Sequence, residues 1–301
     1  MCIVFPVCQS LKTHVDQPTF WIQKFDESGQ SIELHDAWIN LMQKIEKGSF
    51  LQNELVKCLM KWHGQLLSNP KSWPQESLNG ITPLHISACC GVKSIVECIA
   101  SYSNNPNPPK ENGATPIFSA ASEGHVEIIK FFARKIDNIN ASRNDGATPI
   151  LMASQNGHIE TVKFLALKSD DPNEPANNGV TPISIASQNG HLDIVEFLVS
   201  KVYDPNKPRF DGVTPIYMAS SKGYIDIVKI VASKGNNPNA PKNNGWTPIH
   251  AAAIKGHIEI VKYLSTIVDD PNAPDPFGRT LLEVARRKGH SDIVKYIISI
   301  I

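Results

Sequence analysis

The chain has 301 residues, of which 41% are hydrophobic and 19% charged, a balance typical of a soluble, folded protein. Lysine plus arginine equals aspartate plus glutamate at 29 each, so the net charge gives no argument for a nucleic-acid or membrane-surface partner. Six cysteines in a chain of this length do not predict a disulfide framework, and no apolar run is long enough to span a membrane.

The opening segment, residues 1–32, has no clear periodicity but too many aromatic residues to predict disorder. It either packs on the residues that follow or acts as a binding peptide, and both roles stay open. Its apolar start lacks a basic region, so a signal peptide is not expected. Acylation of Cys2 or Cys8 is a further open alternative. The cysteine content favours a reducing compartment, and we expect the cytoplasm, with the nucleus as the alternative.

Residues 33–78 carry two helical patterns separated by Gly48 and Ser49. This organisation resembles the units that follow, but its second helix and its exit loop are longer. Terminal units of a stacked array are usually atypical because they shield one face of the core. We therefore interpret 33–78 as a degenerate N-terminal capping unit. The alternative is a separate helical hairpin.

From residue 79 to the end, one short phrase recurs seven times at intervals of 33 residues. The phrase is Gly-x-Thr-Pro-Ile/Leu, and the last copy has Leu281 in place of the proline. Such a fixed period predicts an array of stacked repeats. The threonines of the seven copies are Thr82, Thr115, Thr148, Thr181, Thr214, Thr247 and Thr280.

Each repeat predicts two helices and a stiff loop. Thr-Pro is a helix start, since the hydroxyl accepts from a free amide and proline tolerates the first position. A glycine nine residues later is the left-handed residue that ends the first helix. A second helix follows with apolar residues at i, i+1 and i+4. The loop that closes the repeat contains Asp/Asn-Pro-Asn, which predicts an extended turn.

These motifs resemble the ankyrin repeat family. The resemblance implies an all-α ankyrin-repeat solenoid of stacked helix-turn-helix units joined by extended loop or β-turn tips. The family's histidine after Thr-Pro is present here only as His85 and His250. We expect the last repeat to be a C-terminal cap. The repeats are predicted at 79–111, 112–144, 145–177, 178–210, 211–243, 244–276 and 277–301, together the domain 79–301.

A search for catalytic chemistry in the sequence finds no zinc-protease motif, no phosphate-binding glycine loop and no Cys-x-x-Cys pair. The histidines of the recurrent Gly-His pairs are interpreted as structural, because stacked helices lie about 8–10 Å apart and neighbouring imidazoles cannot share a metal. We therefore expect no enzyme activity, no metal and no cofactor. An enzyme whose site includes the N-terminal segment is the weakest alternative.

In the ankyrin family, the loop tips and the first helices line a concave face that binds partners. At these positions the early repeats carry mostly polar residues, whereas repeats four to seven carry large apolar residues with basic neighbours. Such a composition is typical of interface hot spots. We predict a protein partner, apolar with some acidic character, bound to a monomer. The predicted binding residues are Phe210, Val213, Tyr217, Trp246, Ile254 and Phe277, with Arg209, Lys242 and Lys255; Lys222 and Arg279 also edge this patch.

The resemblance also implies a modification. Asparagines in the loops of ankyrin repeats, with a leucine eight residues upstream, are targets of oxygen-dependent hydroxylation. Asn173, Asn206 and Asn272 fit this pattern, although each follows a proline. The resemblance as a whole implies a non-enzymatic interaction module or adaptor. A structural scaffold or membrane-skeleton adaptor is the alternative.

Overall fold

The computed structural model describes residues 80–103, 105–275 and 277–301. The predictions for 1–32 and 33–78 lie outside these residues. The chain divides into two units, one up to Asn138 and the other from Ile139 onwards.

Fourteen α-helices, and no β-strand, make up the regular structure of the described residues, as the all-α prediction requires. The unit up to Asn138 contains α1 (Pro83–Cys89), α2 (Lys93–Tyr102), α3 (Pro116–Ser122) and α4 (Val126–Phe132). The unit from Ile139 contains α5 (Pro149–Asn156), α6 (Ile159–Ala166), α7 (Pro182–Asn189), α8 (Leu192–Val199), α9 (Pro215–Lys222), α10 (Ile225–Lys234), α11 (Pro248–Lys255), α12 (Ile258–Ser265), α13 (Leu281–Lys288) and α14 (Ser291–Ile300).

In five of the seven pairs, the side chain of the recurrent threonine caps the first helix. Thr181 has extended backbone, and its Oγ1 accepts a hydrogen bond from the Ser184 amide at 3.1 Å. The Ser184 hydroxyl oxygen in turn accepts from the Thr181 amide at 2.9 Å. These bonds satisfy amides that have no partner inside the helix. Equivalent bonds from the residue three positions on are accepted by Thr115, Thr148, Thr214 and Thr280.

Within each unit, the odd-numbered helices pack on one another in order, and the even-numbered helices do the same. The core lies between these two layers. In α8, Ile194, Val195 and Leu198 have no exposed surface, and the facing helix α7 contributes the fully buried Ala186. Burial of each branched side chain contributes roughly 1.5–3 kcal/mol, and the small alanine lets the helices approach.

The loops are fastened to the helix that follows them by asparagine side chains. In each case Oδ1 accepts a hydrogen bond from the backbone amide ten residues later, at 3.0–3.3 Å. Because each bond joins a loop to the start of the next first helix, it fixes the position of the loop tip. The six asparagines are Asn107, Asn140, Asn173, Asn206, Asn239 and Asn272.

Candidate functional site

Two neighbouring cavities open on the surface formed by α9, α11, α13 and the loop tips before them. They share the side chains of Trp246 and Ile254, which stand between them. The first, of about 340 Å³, is lined by Tyr217, Ser221, Lys242, Asn244, Trp246, Ala251, Ile254 and Lys255. The second, of about 410 Å³, is lined by Trp246, Ile254, Arg279, Glu283, Val284, Arg287 and Lys288.

Cations lie over the aromatic rings of this surface. The Nζ atom of Lys242 is 5.2 Å from the centre of the Tyr217 ring. The guanidinium carbon of Arg279 is 5.1 Å from the Trp246 ring and 4.9 Å from the Phe277 ring. Each contact is within the range of cation–π attraction, so the rings and the cations orient one another.

Asp275 holds Arg279 in this position. The Nε and Nη2 atoms of Arg279 donate to Oδ2 of Asp275 at 2.9 and 2.6 Å, and the other carboxylate oxygen accepts from the amides of Phe277 and Arg279. Burial acts to raise the pKa of Asp275, but the hydrogen bonds from Arg279 and the two amides outweigh it and lower that pKa. The carboxylate therefore stays ionised and keeps the guanidinium between the two rings.

The structure brings together five of the nine predicted binding residues. Tyr217, Trp246, Ile254, Lys242 and Lys255 all line the first cavity. Phe277 is 69% exposed and reaches the second cavity through its contact with Arg279.

Three predicted residues lie elsewhere. Phe210 is 73% exposed but lines neither cavity, and Arg209 pairs with Asp211 at 3.5 Å. Val213 was expected to face a partner, and this prediction is wrong, since the side chain is 7% exposed. Its backbone closes a turn in which the Arg209 amide donates to its carbonyl, and this turn directs the valine inwards.

Sequence reasoning missed the far wall of the second cavity. Arg287 and Lys288 lie there with Glu283 and Val284. The sequence predicts only a C-terminal cap for the repeat that carries them. The signal that could have identified this wall is the 33-residue period, because Lys288 occupies the register of Lys255 and Lys222.

The histidines of the Gly-His pairs bridge neighbouring repeats. His191 Nε2 lies 3.0 Å from the Gln155 carbonyl, and His290 Nε2 lies 3.0 Å from the Ile254 carbonyl. In the first unit, His125 Nε2 is 2.9 Å from the Cys89 carbonyl. Across the part of the chain that the structure describes, no group of three or more His, Cys, Asp or Glu side chains could hold a metal ion.

The two histidines that follow Thr-Pro are buried. Thr82 donates from its amide to Nδ1 of His85 at 3.2 Å, and His85 Nε2 is 3.1 Å from the Ala114 carbonyl. Burial and the nearby Lys110 cation lower the pKa of His85 to about 4. Burial also lowers the pKa of His250, with the Arg279 cation adding to the effect and Asp275 opposing it. Both rings are therefore neutral near pH 7 and act as structural hydrogen-bonding groups.

A comparison with protein families agrees with these repeats. A model described as ankyrin repeats (3 copies) matches residues 41–145, 133–209, 150–242 and 216–300 in overlapping stretches. The chain is an ankyrin repeat protein. Ankyrin repeats generally serve as protein–protein interaction modules and are typically not enzymes. No curated protein matches this ankyrin repeat chain significantly. None of the helices that the structure describes is long and apolar enough to cross a membrane.

Proposed function

We propose that this ankyrin repeat protein is a non-enzymatic adaptor that binds a partner protein over repeats four to seven. The pair of cavities around Trp246 and Ile254 carries the proposal. We call the surface made by Tyr217, Lys242, Trp246, Ile254, Lys255, Phe277 and Arg279 the aromatic–basic surface.

The side chains of the aromatic–basic surface are those that contribute most to interfaces. Trp, Tyr and Arg dominate binding hot spots because each buries a large area with few freely rotating bonds. Here Trp246 and Tyr217 are half-buried, and a cation restrains each ring. Because both side chains are already restrained in the free protein, they lose less conformational entropy when a partner binds, which favours affinity.

The charge of the aromatic–basic surface favours an acidic partner, as the sequence also predicts. Lys255, Arg287 and Lys288 are exposed, and in the described residues none of them forms an ion pair. The partner is therefore apolar where it enters the two cavities and acidic where it meets these cations. We further propose that the protein acts as a monomer in the cytoplasm.

Affinity capture tests this function. The natural chain and a Tyr217→Ser, Trp246→Ser variant are used as bait in a cell extract, after circular dichroism shows both to be folded. A Leu167→Ser, Tyr203→Ser variant is the control, because it removes highly exposed apolar side chains that line neither cavity.

We expect that the natural chain and the control capture a partner which the Tyr217 and Trp246 variant does not capture. Capture by all three would move the binding site away from the aromatic–basic surface. Capture by none would contradict the adaptor function.

A further inference from the structure

Three lysines form a ladder along the aromatic–basic surface. Lys222, Lys255 and Lys288 are the last residues of α9, α11 and α13, all three are exposed, and they are spaced by 33 residues. Lys255 lines the first cavity and Lys288 the second. Because packed helices lie about 8–10 Å apart, the ladder presents one positive charge at each such step. We call these three residues the inner ladder.

A second set of three lysines provides an internal comparison. Lys229, Lys262 and Lys295 recur at the same period on α10, α12 and α14, and we call them the outer ladder. Each follows an acidic residue three positions earlier, and such i,i+3 pairs are favourable on a helix. In one of them, Lys262 Nζ is 3.0 Å from Glu259 Oε1. The acidic residues are Asp226, Glu259 and Asp292.

The lysines of the inner ladder have no acidic residue three positions earlier, and none of them forms an ion pair within the described residues. The residues three and four positions before each of its lysines are alanine, methionine or valine. The loop tip beside the first cavity adds a further cation, Lys242, and the wall of the second adds Arg287. Among the described residues that line the two cavities, Glu283 is the one acidic residue, and its carboxylate accepts from the Thr280 amide at 2.9 Å. The positive charge of the inner ladder is therefore open to an acidic partner.

The spacing of the inner ladder selects a backbone conformation for its partner. A polyproline II segment has three residues per turn and rises about 3.1 Å per residue, so every third side chain recurs on one face at about 9 Å. A β-strand alternates its side chains, so residues three apart point to opposite faces. The side chains on one face of a polyproline II segment therefore match the step of about 8–10 Å expected between the lysines.

We propose that the inner ladder binds an acidic polyproline II segment of a partner protein, with a carboxylate at every third residue and apolar side chains entering the two cavities. This inference rests on the proposed function and names the chemistry of the partner. The carboxylates meet Lys222, Lys255 and Lys288 in turn, while Trp246 and Ile254 separate the two apolar side chains that enter the cavities.

A synthetic peptide tests whether the inner ladder recognises a carboxylate at every third residue. The probe is a fluorescein-labelled peptide of four Glu-Pro-Leu triplets, whose prolines prevent an α-helix. Its control has the same composition with the four glutamates grouped at one end. Fluorescence anisotropy at low salt measures binding of each to the full chain, to a Lys222→Gln, Lys255→Gln, Lys288→Gln variant, and to a Lys229→Gln, Lys262→Gln, Lys295→Gln variant of the outer ladder.

We expect the spaced peptide to bind the natural chain and the outer-ladder variant alike. The inner-ladder variant should bind it about tenfold more weakly, because three exposed ion pairs are lost. The grouped peptide should bind the natural chain more weakly than the spaced one does.

Four results would overturn the inference. Equal binding of the two peptides would show that the spacing is not recognised, and unchanged binding by the inner-ladder variant would show that the lysines are not used. A labelled single-stranded oligonucleotide that bound more tightly than the spaced peptide, and depended on the same lysines, would assign the ladder to nucleic acid. Absence of binding by the spaced peptide at millimolar concentration would count equally against it.

The capture experiment, repeated with the inner-ladder variant as a further bait, separates this inference from the proposed function. Its other variants change no residue of either ladder. A partner lost by the Tyr217 and Trp246 variant but retained by the inner-ladder variant would leave intact the proposal that a partner binds at the two cavities, and would overturn the inference alone.

Discussion

The imidazole of His191 lies over Gly157, the residue that ends α5. A Cβ atom at Gly157 would be 2.7 Å from Cε1 of His191, closer than any real contact of this kind. The Nε2 atom of the same ring is 3.0 Å from the carbonyl of Gln155. One histidine thus covers and hydrogen-bonds the end of the helix in the preceding repeat, and this contact couples the two repeats.

Gly157→Val is expected to destabilise the protein and to uncouple the repeats on either side. Gly157 has φ of 82°, a left-handed conformation that costs a residue with a side chain at least roughly 1–2 kcal/mol. The valine would also displace His191. Urea unfolding followed by circular dichroism should therefore show two transitions where the natural chain has one, because repeat arrays are held by neighbour interfaces.

Gly289→Val is the matched control. Gly289 has φ of 78°, but no atom in the part of the chain that the structure describes lies within 4 Å of a Cβ placed there. This variant carries the backbone strain without the displaced ring, so it should lose stability and keep one transition. A single unchanged transition in Gly157→Val would contradict the coupling.

Thr161→Val is expected to stabilise the protein. Thr161 occupies a core position of α6 at which the other repeats carry isoleucine, and its buried Oγ1 has no hydrogen-bond partner among the described residues. Valine keeps the shape of the side chain and removes the unsatisfied hydroxyl. We therefore expect the free energy of unfolding, measured by urea denaturation, to rise by about 1 kcal/mol.

Thr148→Val provides the contrast for that prediction. It is the same change at a hydroxyl that caps a helix by accepting from the Leu151 amide at 3.3 Å. Loss of this cap should cost about 1 kcal/mol. Equal effects of the two substitutions would mean that the hydroxyl of Thr161 has a partner in solution.

The period of the sequence predicts most of the fold because each repeated residue has a local reason for its place. Thr181 caps and Gly190 ends a helix through their own backbone geometry, and no distant residue is needed. Asp275 could not be predicted in this way. The same position in the five preceding repeats is Lys110, Arg143, Ala176, Arg209 and Lys242. The role of Asp275 depends on Arg279, four residues later, and no other repeat has an arginine at that position. Two changes that occur together in a single repeat, as these do, cannot be predicted from the pattern that the repeats share.

His85 should make the stability depend on pH. Its pKa is lowered from 6.5 to about 4 in the folded chain, so between these values the unfolded chain binds more protons. Stability from this group is thus fully present above pH 6.5 and is lost as pH falls towards 4. We expect His85 to account for about 2 kcal/mol of the loss between pH 7 and pH 5.

His85→Leu isolates this contribution, since Leu151 fills the same register in another repeat. The variant loses the hydrogen bond to Ala114 at every pH, but its unfolding free energy should fall less between pH 7 and pH 5 than that of the natural chain. Parallel curves for the two proteins would exclude His85 as the source.

Hydroxylation of the loop asparagines should follow their accessibility. Asn173 and Asn206 are 4% and 2% exposed, whereas Asn272 is partly exposed, and all three hold a backbone amide through Oδ1. Hydroxylation adds one oxygen atom, so the mass of the protein isolated from its own cells should be higher by roughly 16 Da for each modified asparagine. We expect Asn272 to be modified first. An intact mass without such increments would contradict the modification, and a peptide map with Asn173 modified first would contradict the order.

Substitutions of Val213 and Ile254 should differ in their effects on stability and on partner binding. Val213 is 7% exposed, so Val213→Ala removes buried methyl groups and should cost roughly 1–2 kcal/mol in unfolding free energy while leaving partner capture unchanged. Ile254 is half-buried between the two cavities, so Ile254→Ala should lose less stability and weaken capture. Urea unfolding and the capture assay are measured on both variants. Weaker capture by a folded Val213→Ala chain, with Ile254→Ala unaffected, would place the contact at the turn before α9 and away from the cavities.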